Sequence, residues 1–105
     1  MIRVNFFYPN SDGSKFDIDY YLNVHRPLVI ERFGDALKGI TIERGISGVE
    51  PGSKPPFHAI GSLTFASIEA FYAAILPLMD ELRADAANYS EGDPIIQISE
   101  IPTTE

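Results

Sequence analysis

Apolar and polar positions alternate over residues 2–8, with Ile2, Val4, Phe6 and Tyr8 on one side of an extended chain and Arg3, Asn5 and Phe7 on the other. The pattern predicts a strand with one apolar face, ended by the turn formers Pro9, Asn10, Ser11, Asp12, Gly13 and Ser14. Asp17 is placed to cap a helical run that opens with Tyr20, Tyr21, Leu22 and Val24. Pro27 lacks an amide hydrogen and crowds the carbonyl four residues back. The run is therefore expected as two segments, about 17–25 and 27–33, with Arg26 extended between them and Gly34 as the stop.

A second strand is expected from about Leu37 to Ile46, where Ile40, Ile42 and Ile46 alternate with Thr41, Glu43 and Gly45. Residues 47–56 hold three prolines and two glycines and predict an exposed loop. Phe57 to Phe65 is a third strand. Ser67 caps a second helix whose apolar spacing runs through Ile68, Phe71, Ile75, Leu78, Met79 and Leu82, with Pro77 expected to kink or break it. Ser90 to Pro94 is a turn, and Ile95 to Ile101 the last strand. The order βα–β–βα–β is the ferredoxin-like α+β arrangement: a four-stranded antiparallel sheet with two broken helices on one face.

The other face of that sheet is not wholly polar. Alternation puts Ile60 opposite Phe57, Leu63 and Phe65, and Ile96 and Ile98 opposite Ile95 and Ile101. Apolar side chains on both faces call for a second cover, which a homodimer closing two sheets into a barrel would supply.

The 105 residues suit a single domain, 1–105, of ordinary apolar content. A net charge of −7 disfavours nucleic acid and anionic membrane partners, both of which need clustered Lys and Arg. Cysteine is absent, so the chemistry rests on oxygen and nitrogen groups. The N-terminus lacks the long apolar run of a secretory signal, and no stretch approaches the ~20 apolar residues of a membrane span. The cytoplasm is the expected compartment.

His25 is the sharpest chemical feature. Along a helix Asp17, Tyr21 and His25 share one stripe, so a phenol and an imidazole project into the same space. At a helix break, free amides following the histidine would keep its ring neutral and basic near pH 7, while the opposite pole of the preceding segment would oppose this. A structural reading, in which His25 bonds loose backbone groups at the break, stands beside the functional one. His58, at the start of a strand, reads as a surface residue. The two histidines lack metal-ligand spacing, the Gly48 to Lys54 stretch fails the phosphate-loop pattern, and neither a nucleophile elbow nor a dinucleotide turn occurs. Asp85, Asn88, Tyr89 and Ser90 form a polar group at the end of the second helix, and Tyr20, Tyr21, Phe71 and Tyr72 are candidates to wall a pocket between helices and sheet.

The run Tyr20-Tyr21-Leu22-Asn23-Val24-His25-Arg26-Pro27-Leu28 resembles the Tyr-Tyr-x-x-x-His-x-Pro-Leu signature of the EthD family, named for ethyl tert-butyl ether degradation. The likeness continues in Val4, Tyr8 and Pro9, in Phe16-Asp17, in Asp85-x-x-Asn88-Tyr89 and in the strand Ile96 to Glu100; Ala86-Ala87 and Ser90 depart from many members. The resemblance implies a dimeric α+β barrel, a superfamily that includes cofactor-independent monooxygenases, polyketide cyclases and fungal decarboxylases or dehydratases. It implies a pocket between sheet and helices with the signature histidine as acid/base. The catalytic residues expected are His25 and Tyr21, and the substrate-binding ones Tyr20, Asn5, Phe71, Tyr72 and Asp85, with no metal and no cofactor. The expected ligand is a small hydrophobic, aromatic or polyketide-like molecule. The alternative is a non-catalytic ligand-binding or accessory homodimer of an oxidative degradation pathway.

Overall fold

The alternation over residues 2–8 folds as β1 (Ile2–Pro9), an interior strand of a four-stranded sheet in a computed structural model that describes residues 1–105. β2 (Gly39–Arg44), β3 (Phe57–Phe65) and β4 (Ile95–Glu100) complete it in the order β2-β3-β1-β4, every pair antiparallel. β2 and β4 are thus the edges and β3 and β1 the buried centre. Two crossovers carry the helices. The first comprises α1 (Ile18–Tyr20), a wide turn (Tyr21–His25) and α2 (Arg26–Phe33); the second comprises α3 (Ile68–Ile75), a tight turn (Leu76–Leu78) and α4 (Met79–Ala86). This is the ferredoxin-like α+β architecture.

The caps sit where the sequence places them. The Asp17 carboxylate accepts from the Tyr20 amide at 3.0 Å and the Ser67 hydroxyl from the Ala70 amide at 3.1 Å, each satisfying a donor that the first helical turn leaves free. Gly34, at φ +54°, turns the chain out of α2. Pro77 lies in the tight turn between α3 and α4, the interruption its ring demands.

Pro27 behaves differently from expectation. Arg26 is helical (φ −57°, ψ −50°), not extended, and the first helix runs through the proline without a break. The turn before it widens instead. The Arg26 amide reaches five residues back to the Tyr21 carbonyl, which makes Tyr21–His25 a π-turn. A proline in a regular helix fails because it has no amide to give and its ring meets the carbonyl four residues back. Widening the preceding turn by one residue relieves that conflict while keeping Arg26 helical, and Pro27 enters α2 in its first turn, where a missing donor is tolerated.

Two clusters hold the helices on the sheet. Val4, Val29, Phe33, Leu63, Phe65 and Phe71 form one; Tyr8, Tyr21, Ala59 and Tyr89, flanked by Phe6, Phe16 and Ile42, form the other. On the uncovered face of the sheet, Phe7 pairs with Ile60 and Ile95. The register slips between Tyr8 and Pro9, so that Tyr8 pairs with Ala59 but Pro9 with Phe57. The slip corrects one expected assignment: Phe57 does not share a face with Leu63 and Phe65, and its ring lies 5.3 Å from Phe7 on the open side.

Candidate active site

The π-turn turns both Tyr21 and His25 toward the sheet, where each is buried, with their rings stacked at 5.9 Å. Tyr89, beyond the end of α4, closes on the imidazole from another side at 4.7 Å. α4 brings Asp85 to the same place: its Oδ2 lies 2.7 Å from His25 Nδ1. The second carboxylate oxygen is held as well. The Tyr20 hydroxyl donates to Asp85 Oδ1 at 2.6 Å and accepts from Asn88 Nδ2 at 3.0 Å. No side-chain nitrogen or oxygen is both buried and without a partner, so His25 Nε2, which has no protein partner, reaches the surface.

Behind the imidazole stands a packed set of rings. The Tyr8 and Tyr89 hydroxyls are 2.7 Å apart, and Phe16 touches Tyr8, Tyr21 and Tyr89. Gly61 of β3 lies under Tyr21, and a side-chain carbon there would run into the Tyr21 hydroxyl. Burial pushes the Tyr8, Tyr21 and Tyr89 phenols well above the ordinary range, so all three stay protonated. Burial also lowers the His25 pKa, against the upward pull of Asp85, and leaves the ring neutral at pH 7. The helix does not restart at Pro27, so burial takes the part that free amides at a break were expected to play. For Asp85 desolvation acts upward, but bonds from Tyr20, His25 and Asn88 and the attraction of His25 outweigh it, and the carboxyl stays below its usual range. A carboxylate accepts only, so His25 Nδ1 carries the hydrogen and Nε2 presents a lone pair.

The EthD domain pattern matches residues 14–93, a span that takes in the π-turn, Asp85, Asn88 and Tyr89. The chain belongs to the EthD family. An EthD-like protein from Ralstonia eutropha is 38% identical, with a TM-score of 0.93 over 99% of this chain and 94% of that one. An EthD-family protein from Bacillus halodurans is 19% identical, with a TM-score of 0.72 over 95% of this chain and 97% of that one. A proposed antibiotic biosynthesis monooxygenase from Bordetella bronchiseptica, at 12% identity and a TM-score of 0.66 over 97% of each chain, shares the fold. No curated protein matches this chain.

Within this EthD domain, the residues singled out from sequence do not all converge. His25, Tyr20, Tyr21 and Asp85 meet. Phe71 packs on Phe65 in the other cluster, and Tyr72, 48% exposed, lies on the outside of α3. Asn5 is on the open face of the sheet, where it accepts from Ser62 Oγ at 2.8 Å. Tyr8, Gly61 and Tyr89 build the site without having been assigned to it from sequence. His58 stacks on Phe16 at 5.4 Å, and its Nε2 lies 2.9 Å from the Ser14 hydroxyl. No three His, Asp or Glu side chains gather as a metal site would require. A cleft of about 240 Å³ lies beside the network, lined by Lys15, Phe16, Asn88, Tyr89 and neighbours; it touches the Asn88 end of the chain of bonds and not His25.

Proposed function

We propose that this EthD protein is a small cofactor-independent enzyme acting on a hydrophobic organic compound of aromatic or polyketide-like type, with His25 as its acid/base. One observation carries the reading: a buried imidazole has its Nδ1 fixed on Asp85 at 2.7 Å and its Nε2 without a protein partner. In the proposed step Nε2 takes a proton from a carbon next to a carbonyl, or from a phenol. The electron pair moves onto the substrate oxygen, and Tyr21, its hydroxyl packed over Gly61, supports the imidazole through its ring. Asp85 balances the imidazolium until the proton is returned. Aromatic rings on either side of the imidazole favour a flat apolar ligand, and no Lys or Arg bonds to the network to recruit an anionic one.

Exchange of the α-hydrogens of α-tetralone for deuterium, followed by NMR, tests proton abstraction on a flat aromatic ketone of the proposed class. The wild-type protein is expected to accelerate exchange over buffer. His25→Ala should keep its fold and lose about 10²-fold or more of that acceleration. A wild-type protein that leaves exchange at the buffer rate overturns the enzymatic reading. The second reading, a non-catalytic ligand-binding or accessory homodimer of an oxidative degradation pathway, draws on the 240 Å³ cleft, which a ligand could fill without meeting His25. Under that reading His25→Ala changes melting temperature and leaves ligand affinity untouched.

A further inference from the structure

We infer that Tyr20 and Asn88 are positioning residues that set the tautomer and basicity of His25 from the protein surface, through a chain of hydrogen bonds whose donors all point toward Asp85. The inference rests on the reading of His25 as a base for its catalytic meaning, though not for its geometry. The direction follows from what each group can do. Asp85 only accepts, so at 2.6 Å the single hydrogen of the Tyr20 hydroxyl must lie on Asp85 Oδ1. With that hydrogen committed, the Tyr20 oxygen can only accept, so its partner at 3.0 Å must be the amide nitrogen of Asn88 and not the amide oxygen. At the other end Asp85 Oδ2, 2.7 Å from the ring, requires the hydrogen on Nδ1 and leaves Nε2 bare.

The arrangement does two things for the imidazole. Held at both oxygens by donors on the first crossover, the carboxylate cannot rotate away from the ring. The bond from Tyr20 also takes up part of the charge on Asp85, which weakens its pull on the His25 proton and leaves Nε2 neutral and available. Tyr20 is therefore occupied on both sides of its oxygen and has a role distinct from the substrate contact its place in the signature suggests. The groups that face His25 are Asp85 from α4, Tyr21 from its own helix and Tyr89 from beyond α4, with Tyr8 behind Tyr89. Only Asp85 among them carries charge at neutral pH. Asn88 is exposed, so the chain of bonds ends where solvent or a ligand in the adjoining cleft can touch it.

The test is a ring-nitrogen NMR titration of His25 in the substrate-free protein. In the wild type the ring should titrate below 6.5, with the neutral form protonated at Nδ1. Tyr20→Phe removes the donor to Oδ1, so the His25 midpoint should rise by about half a unit or more. Asn88→Asp, at an exposed position, offers Tyr20 a competing carboxylate and adds a charge, so the midpoint should rise here too. In the double variant the two shifts should not add fully, because Asn88→Asp can then act only through its charge and the loss of its 3.5 Å bond to Asp85 Oδ1, and no longer through Tyr20. Midpoints that stay within about 0.2 unit of wild type in both single variants overturn the inference, even if thermal stability falls, since a structural role moves stability alone. Because no substrate is present, an absence of turnover leaves this outcome intact, and a failure here leaves the exchange experiment to decide the enzymatic reading by itself.

Discussion

Gly61 occupies the helix-facing side of β3, and the Tyr21 hydroxyl fills the space that a side chain there would take. Gly61→Ala should therefore displace Tyr21 and, through the stacked rings, His25. The expected loss is about 1–3 kcal/mol of stability, the usual cost of overfilling a packed site, measured by urea unfolding. Adding Tyr21→Phe removes the colliding atom and should recover most of that loss. Equal losses in the single and double variants would place the collision elsewhere. The imidazole itself predicts a pH effect. Its pKa is lowered by folding, so the unfolded chain takes up a proton near 6.5 while the folded chain resists until lower pH. Its contribution to stability is therefore present above about 6.5 and lost as pH falls from there through the folded value. His58, lowered by partial burial and by the Lys54 charge, acts in the same window and direction. His25→Gln should shrink the fall in unfolding midpoint between about pH 7 and about pH 5, and His58→Gln should remove part of what remains. An undiminished fall in His25→Gln would show that the ring is not held neutral.

At the level of elements, what could be read along the chain was whatever depends on local pattern. The alternation of β1, the cap at Ser67 and the kink at Pro77 all follow from neighbours within a few residues, and the structure places them accordingly. The π-turn did not follow, because the rules for proline describe a helix of fixed pitch, and this one changes pitch to keep Arg26 helical. The signature made His25, Tyr20 and Tyr21 visible, but nothing local links them to Asp85, 60 residues further along. Only the packing of α4 against the π-turn makes that pair. Phe71 and Tyr72 show the converse limit. Consecutive helical residues point about 100° apart, so both could not line one pocket, and Phe71 alone turns inward.

The whole molecule leaves one face of its sheet uncovered, and that face has two characters. Glu43, Ile60, Phe7 and Ile95 form one cross-strand row, joined by Phe57. Thr41, Ser62, Asn5 and Gln97 form the next, knitted by Ser62 to Asn5 at 2.8 Å. We propose that the apolar row packs against its copy in a homodimer. Sedimentation should give twice the 11.6 kDa chain mass, and Phe7→Glu should yield a folded monomer. A wild-type protein sedimenting as a monomer would remove the barrel. The slip between Tyr8 and Pro9 ties this face to the other. One additional residue in β3 sends Phe57 to the open side and His58 to the stack on Phe16. Deleting either residue there would restore strict alternation, leave the survivor on the open side and strip the stack on Phe16. The association surface and the wall of the candidate active site therefore share a single point of failure in chain length, and neither can be re-engineered at that corner without disturbing the other.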